Sequence, residues 1–380
     1  MAFLFLLNHI MTEHKNQHYV SQFYLKNFSS DRKTIGTLIL SSNKFIKNAP
    51  IKNQCSKDNF YQDKNYEIAL SELEADTSVI FDKIMNKEDL SSKEKFIARA
   101  FMLLQETRTK HSAEIVQNGF NLMTNYIESL GVSEEFKPRL ESLRVDSSKA
   151  IEIMKSLFQT SMNNCADLML KVIINTTQLP FITCDDPLLT YNKHLERLEY
   201  HNYGLCSNGL ILLLPISPNH ALVLYDSNTY KLGTRKEFYV TVSNKKDIEE
   251  ICLLTILHAN QTIYIKNGST THHQLTELTE RATKYTQSEK MELESFSSES
   301  NRSELIHSYS EHFHIGAQFS FLKELDKAKA IHSLNKRSFC VTDIMRPHCM
   351  RILEQEKHLV RQYPLSNEQT FSKKVYSSRD

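Results

Sequence analysis

The sequence predicts an α+β fold in which a helix-rich N-terminal half is followed by a mixed sheet with flanking helices, plus a helical C-terminal extension. Apolar residues recur at helical spacing through most of the first half of the chain. From residue 171 onward the apolar runs shorten to strand length, and helical spacing returns near the C-terminus. Only 8 glycines and 8 prolines occur among 380 residues, which is below average usage and favours helix.

Helices dominate the first half of the predicted fold. Residues 66–86 form an amphipathic pattern with one apolar face. A second helix begins at Ser91, where Glu94 follows three residues later as in a capping box, and it continues towards Leu130. A third helix begins at Asp146. Residues 18–28 also show roughly helical spacing ahead of a predicted hairpin at residues 34–46.

Strands dominate the second half, up to about residue 268. The predicted strands are residues 171–175, 181–184, 210–214, 221–225, 238–242 and 262–265, with one helix at residues 247–258.

The domain organisation follows from changes in composition along the chain. We expect a mis-started or disordered N-terminus at 1–11, with either Met1 or Met11 as the start of translation. A main domain follows at 12–268, a Ser- and Glu-rich linker at 287–304, a helical extension at 305–365 and a polar tail at 366–380.

Charge and cysteine content exclude several protein classes. The 46 basic and 45 acidic residues give a net charge of +1, so no overall field attracts nucleic acid or an anionic membrane. The 7 cysteines are odd in number, widely spaced and free of CxxC, which favours a reduced, cytoplasmic chain. The apolar runs are too short to span a bilayer. Dinucleotide-binding, P-loop, kinase, α/β-hydrolase, zincin and deaminase signatures are absent from the sequence.

Three segments resemble one family. HYVSQFYLKNF at residues 18–28 resembles the HYVPQFYLRNF signature of the domain of unknown function 4238 family, FITCDDP at 181–187 resembles its FITSDNP segment, and PISP at 215–218 resembles its PLSP segment. Their order and spacing agree over about residues 12–268. Ser21 stands where the family usually has Pro, Cys184 where it has Ser, and Asp186 where it has Asn. The family is functionally uncharacterised, so the resemblance implies a shared domain and no mechanism.

Polar residues within these largely apolar motifs are the candidate catalytic group. His18 would act as a general base or metal ligand, or alternatively would cap a helix or bond a buried backbone group. Asp185 and Asp186 follow a predicted strand, where carboxylates suit a divalent metal such as Mg²⁺. The alternative for this pair is a turn before Pro187. Arg108, on the predicted central helix, would clamp a phosphate or form an internal ion pair with a carboxylate such as Glu74 or Asp185.

Two further residues are weaker candidates for substrate binding. Gln105 lies one predicted helical turn before Arg108, and Lys57 lies in a loop where it would orient a phosphate or simply remain exposed. A basic segment at residues 323–361 could contact nucleic acid, but its lysines alternate with acidic residues as on a solvated helix face.

Two functional hypotheses follow. In the first, His18, Arg108 and Asp185 line a pocket that performs metal-assisted phosphoester hydrolysis, possibly of nucleic acid, with Asp185 as metal ligand and Arg108 as charge clamp. In the second, the chain is a non-catalytic binding or interaction protein. The same residues then form a structural polar network, and the C-terminal extension binds a protein partner.

Overall fold

The structure, a computed structural model, describes residues 16–61, 63–196, 204–268, 272–285, 291–298, 304–310, 315–329, 344–360 and 371–377. The expectations for residues 1–11, including the start at Met11, lie outside these residues. The helices are α1 Gln22–Lys26, α2 Lys64–Met85, α3 Ser92–Leu104, α4 Lys110–Ser129, α5 Lys137–Ser142, α6 Ser147–Asn164, α7 Lys193–Glu196, α8 Lys245–His258, α9 His272–Ala282 and α10 Pro347–Val360.

The strands pair mostly antiparallel. They are β1 Asn16–His18, β2 Thr34–Ile39, β3 Lys44–Pro50, β4 Ser56–Asp58, β5 Met169–Asn175, β6 Thr183–Cys184, β7 Leu189–Tyr191, β8 Ile211–Ser217, β9 His220–Tyr225, β10 Tyr230–Leu232, β11 Tyr239–Val242, β12 Thr262–Ile265, β13 Met291–Ser298, β14 Glu304–Ser310, β15 Leu322–Glu324 and β16 Phe371–Ser377. A five-stranded sheet has the order β11-β5-β9-β8-β7, and a four-stranded sheet has the order β3-β2-β12-β6. Within the described strands, the β11–β5 pair is parallel.

The five-stranded sheet is buried on both faces. Successive side chains of a strand point to opposite faces, so Leu213 and Leu214 on β8 enter different apolar clusters. One cluster contains the apolar residues of α8, and the other contains those of α1, α2 and α3. Burial on both faces explains why β8 reads as a continuous apolar run in the sequence. The predicted α+β fold, helical first and mixed behind, is confirmed.

The long N-terminal helices begin where the caps predict. The Ser91 hydroxyl accepts the Glu94 backbone N–H at 3.3 Å, and the Glu94 carboxylate accepts the Ser91 N–H at 2.8 Å, which completes the capping box of α3. Asp146 caps α6 by accepting the Lys149 N–H at 2.8 Å. Side-chain oxygens here satisfy amide groups that the helix itself leaves unpaired.

The predicted continuous helix from Ser91 to Leu130 is wrong. It breaks at a 3₁₀ turn over Gln105–Thr107, and Thr109 then caps α4 by accepting the Ser112 N–H at 3.1 Å. The break directs Arg108 inward, where only 1% of the residue is exposed. Tertiary contacts of this side chain, described below, outweigh the helical pattern on either side of it.

The C-terminal region differs from its predicted linker and helical extension. β13 lies within the linker range, and β14 and β15 lie within the extension, where α10 is helical as predicted. β16 lies in the predicted polar tail and pairs with β13, whose other neighbour is β14. Because β16 is more than 70 residues beyond β13, local composition could not reveal this pairing. Within the described residues, no helix has the length and apolar character needed to cross a membrane.

Candidate functional site

Residues from all three family-like segments meet at one buried tyrosine. The Tyr24 hydroxyl, on α1, donates to the Pro215 carbonyl oxygen at 2.6 Å. It lies 2.6 Å from the Thr183 hydroxyl on β6. Pro215 belongs to the five-stranded sheet and Thr183 to the four-stranded sheet, so a single phenol links α1 to both sheets. Burial raises the pKa of Tyr24, which therefore stays a neutral hydrogen-bonding group.

Arg108 is the centre of a second polar group. Its Nη1 donates to the Glu74 carboxylate at 2.8 Å and to the Ser21 hydroxyl at 3.1 Å. Its Nη2 donates to the His18 carbonyl oxygen at 2.8 Å, and its Nε donates to the Tyr61 hydroxyl at 3.2 Å. Ser21 also donates to Glu74 at 2.6 Å. We call these five residues, Ser21, His18, Tyr61, Glu74 and Arg108, the Arg108 network.

The charge of Arg108 is balanced inside the protein. Burial disfavours the charged form, yet the pKa of Arg108 is raised because Tyr61 and the Glu74 carboxylate stabilise the guanidinium. The internal ion pair with Glu74, one of the two alternatives that the sequence left open, is present. Arg99, on α3, instead donates to the Cys165 and Leu168 carbonyl oxygens just after the end of α6.

His18 joins the network through its backbone, and its ring points elsewhere. The Nε2 atom donates to the Lys52 carbonyl oxygen at 3.2 Å. Burial lowers the pKa of His18, although the Lys52 hydrogen bond opposes this effect, so the neutral imidazole is favoured at neutral pH. The structure thus brings His18 and Arg108 together without directing the imidazole at the guanidinium.

Asp185 and Asp186 bind different elements. The Asp185 carboxylate accepts the Asn260 N–H at 3.0 Å and the Gln261 N–H at 2.9 Å, which holds the turn between α8 and β12. Asp186 accepts the Thr109 hydroxyl at 3.1 Å, at the start of α4. The two side chains therefore diverge, as expected for neighbours on extended backbone. Asp185 thus bonds backbone amides, as in the turn alternative for this pair, but those amides lie in a different turn, 75 and 76 residues later in the chain.

Three carboxyl groups here have raised pKa values. Burial raises the pKa of Asp185 to about 6 and that of Glu106 to about 7. Burial, with a contribution from the charges of Asp185 and Glu106, raises the pKa of Asp186 to about 8. Glu106 was not among the residues predicted from the sequence, and it lies in the 3₁₀ turn between Gln105 and Arg108. In the sequence, its position between these two candidates could have indicated a role at the site.

The weaker substrate-binding candidates do not join this group. Lys57 is exposed on β4, which pairs with β1, so the predicted loop is partly strand here. Gln105 is 1% exposed, and its Nε2 donates to the Phe101 carbonyl oxygen at 3.0 Å. Across the part of the chain that the structure describes, no cluster of three or more His, Cys, Asp or Glu is placed to hold a metal ion.

A surface cleft of about 510 Å³ lies beside Tyr61. Its remaining lining residues are Phe60, Asp63, Lys64, Ser148, Ile151, Glu152 and Lys155. The Lys155 ammonium donates to the Asp63 carboxylate at 3.0 Å and to the Tyr61 carbonyl oxygen at 3.4 Å. Lys64 and Glu152 are exposed at the cleft. Because Tyr61 accepts from Arg108, the Arg108 network fixes one wall of this cleft.

The fold and the site together define an α+β domain in which the polar residues of the three motif segments join helices to sheets. A family model described as protein of unknown function (DUF4238) matches residues 16–269, and the chain belongs to this family. The resemblance predicted over about residues 12–268 is thereby confirmed. No curated protein and no solved structure matches the chain.

Proposed function

We propose that this chain is a non-catalytic binding protein whose ligand occupies the cleft beside Tyr61. The observation that supports this proposal is the engagement of Arg108, whose guanidinium donates to Glu74, Ser21, Tyr61 and the His18 carbonyl within the protein. Asp185 is engaged in the same way, because each carboxylate oxygen accepts a backbone N–H. Residues committed to such contacts stabilise the scaffold and are poorly placed to act on a substrate.

The cleft beside Tyr61 is the proposed ligand-binding site. Its rim presents Lys64 and Glu152, which have opposite charges, above partly apolar walls that include Phe60 and Ile151. A cleft of this size can hold a small molecule, and converging polar groups such as those that line it fix a ligand's orientation. We therefore propose a small zwitterionic ligand, with its anionic group near Lys64 and its cationic group near Glu152.

The test is thermal denaturation of the full chain with a panel of amino acids and of phosphate compounds. A zwitterion that occupies the cleft raises the melting temperature of the wild type by mass action. We expect Lys64→Ala and Glu152→Ala to lose this rise. Lys93→Ala, an exposed lysine on α3, is the matched control and should keep it. A rise that both cleft variants retain would contradict the proposed site.

A hydrolase is the second candidate, and the raised carboxyl pKa values favour it. Groups with pKa values of about 6 and 8 at Asp185 and Asp186 are suited to exchange protons near neutral pH, and strongly perturbed groups cluster at catalytic sites. The metal-assisted form of this proposal, with His18, Arg108 and Asp185 acting on a phosphoester, stays a prediction. Phosphoester hydrolysis that Asp185→Asn abolishes at an unchanged melting temperature would favour the enzyme over the binding protein.

The proposal includes a cytoplasmic location and leaves room for larger partners. The described cysteines are free thiols, as expected in a reducing compartment. A protein partner for the C-terminal extension, and nucleic-acid contact through residues 323–361, stay predictions. Arg346 within that basic segment is 0% exposed and pairs with Asp167, so it is not available to a phosphate backbone.

A further inference from the structure

Two cysteines meet where α10 joins the main domain. Cys206 lies in the segment before β8, and Cys349 lies in the first turn of α10. The backbone holds the two segments together, because the Arg346 N–H donates to the Cys206 carbonyl oxygen at 2.8 Å and Ser207 forms a β-bridge with Met345. The side chains of Cys206 and Cys349 lie close enough for each to shift the pKa of the other. The Cys349 thiol donates to the Asn164 carbonyl oxygen at 3.4 Å.

A buried cation lies beside this thiol pair. Arg346 is 0% exposed and lies 3.5 Å from the Cys349 sulfur through Nη2, while its Nε donates to the Asp167 carboxylate at 3.1 Å. The interaction with the Cys349 side chain lowers the pKa of Cys206 to about 7, burial opposes this effect, and the Arg346 charge lowers the pKa further. Cys206 is also half-exposed, so a small reagent can reach it.

The other described cysteines have a different environment. Cys55, Cys165, Cys184 and Cys252 are buried, and burial raises the pKa of each thiol. A reactive cysteine needs thiolate character and access, and a neighbouring cation with a second thiol nearby is the usual arrangement of a redox-sensing pair. Within the described part of the chain, Cys206 meets these conditions. Cys349, which is 3% exposed and has a raised pKa, is the second thiol beside it.

We propose that Cys206 and Cys349 form a reversible, hydroperoxide-sensitive dithiol–disulfide pair that links α10 covalently to the main domain. The Cys206 thiolate attacks one peroxide oxygen, the O–O bond breaks, and Cys206 becomes a sulfenic acid. The released hydroxide takes the proton of the Cys349 thiol and becomes water. The Cys349 thiolate then attacks the Cys206 sulfur, and the S–O bond breaks. The leaving hydroxide takes up the proton that the Cys206 thiol released to solvent when it ionised, which gives the second water. Two thiols are oxidised to one disulfide while one hydrogen peroxide is reduced to two waters.

The experiment uses the full, reduced chain and hydrogen peroxide as the probe. We expect the oxidised protein to lose two of its seven thiols, to give a peptide linked through Cys206 and Cys349 by mass spectrometry, and to recover both thiols in dithiothreitol. In the same digest, Cys252 is an internal reference that should react at least about tenfold more slowly, because its thiol is buried. A peroxide treatment that forms no such linked peptide would overturn the proposal.

Two variants separate the steps. In Cys349→Ser the Cys206 sulfenic acid has no partner thiol, so a dimedone adduct should accumulate at Cys206. In Cys206→Ser no adduct should form at Cys349, and peroxide-dependent thiol loss should fall at least about tenfold. An adduct at Cys349 in Cys206→Ser would show that the roles assigned to the two sulfurs are wrong. The wild-type peptide map is decisive even if a variant folds poorly.

Discussion

Arg108 should be among the most costly single residues to remove. Arg108→Ala removes four hydrogen bonds and leaves the Glu74 carboxylate and the Tyr61 hydroxyl without this partner. Breaking a buried ion pair from one side costs about 3 to 5 kcal/mol, and the 24% exposure of Glu74 argues for the lower end, about 3 kcal/mol. Urea unfolding followed by circular dichroism measures this loss.

The matched control is Arg139→Ala, because Arg139 is exposed on α5. An exposed arginine should change the free energy of unfolding by no more than about 0.5 kcal/mol. Arg108→Lys is a stricter test, since an ammonium cannot reproduce a planar guanidinium that serves several acceptors, and it should recover little of the loss. Equal stability of Arg108→Ala and Arg139→Ala would contradict the structural role of the network.

Asp186 should make the protein less stable as pH rises. Its folded-state pKa is about 8, above the ordinary 3.8, so the folded state holds this proton more tightly than the unfolded chain does. The stabilisation is complete below about pH 4 and is lost as pH rises through about 8. Asp186→Asn keeps the acceptor for Thr109 and removes the titration. We expect the variant to equal the wild type near pH 4 and to exceed it by about 5 kcal/mol at pH 8, because each pKa unit corresponds to about 1.4 kcal/mol.

Asp31 is the control, because its pKa is shifted in the opposite direction and its effect on stability should therefore change with pH in the opposite sense. Its carboxylate accepts the Thr34 and Lys33 backbone N–H groups, and these hydrogen bonds lower the pKa of Asp31. Its stabilisation is therefore present above the unfolded pKa and lost at lower pH. Asp31→Asn should not raise stability at pH 8. The measurement is unfolding at several pH values. The same trend in Asp31→Asn and Asp186→Asn would exclude Asp186 as the source of the pH dependence.

At the scale of elements, the capping box of α3 is directly testable. Ser91→Ala removes the hydroxyl that accepts the Glu94 N–H, which should lower the free energy of unfolding by about 1 kcal/mol. Ser92→Ala, one residue into the helix and exposed, is the control and should be nearly neutral. Chemical unfolding of both variants decides the point, and an equal loss in the two would mean that no cap is involved.

Helix starts were predictable from the sequence, and the break between α3 and α4 was not. Ser91 and Asp146 cap their helices through bonds to residues three positions away, so the signal is local. Arg108 is held by Glu74, which is 34 residues away, and by the His18 carbonyl, which is 90 residues away. These contacts hold Arg108 in the break between α3 and α4, and no window of helical spacing contains the residues that make them.

At the scale of the whole molecule, the sequence identified important segments but assigned their contacts only in part. The His18, Arg108 and Asp185 hypothesis paired motifs by their polarity. In the structure Asp185 binds Asn260 and Gln261, which lie 75 and 76 residues later, because β6 pairs with β12. Sheet order sets such contacts, and strand periodicity does not specify it. Glu74 was one of the partners that the sequence offered for Arg108, beside Asp185 and a phosphate, because a buried guanidinium requires an anion.

The Tyr24 hydroxyl bonds residues of both sheets, so deleting this one oxygen atom should lower the stability of the whole domain. Tyr24→Phe keeps the ring and deletes the hydroxyl that binds Thr183 and Pro215. Both partner groups would then be buried without this contact, and leaving buried polar groups unpaired costs about 1 to 3 kcal/mol. We expect a loss of about 2 kcal/mol in urea unfolding, with one cooperative transition retained because the apolar contacts of the ring persist.

Tyr66→Phe is the control for Tyr24→Phe, because it removes a buried hydroxyl that makes no hydrogen bond among the described residues. Within the described structure, the Tyr66 hydroxyl is buried without a hydrogen-bond partner, so deleting it removes an unsatisfied polar atom. We expect Tyr66→Phe to be neutral or slightly stabilising, while the Lys155 ammonium stays over the ring at 4.7 Å. If Tyr24→Phe and Tyr66→Phe lowered the free energy of unfolding equally, the loss would come from removing any phenol oxygen. It could then not be attributed to the Tyr24 hydrogen bonds with Thr183 and Pro215. A loss confined to Tyr24→Phe would mean that motif segments nearly 200 residues apart stabilise one another through a single hydroxyl.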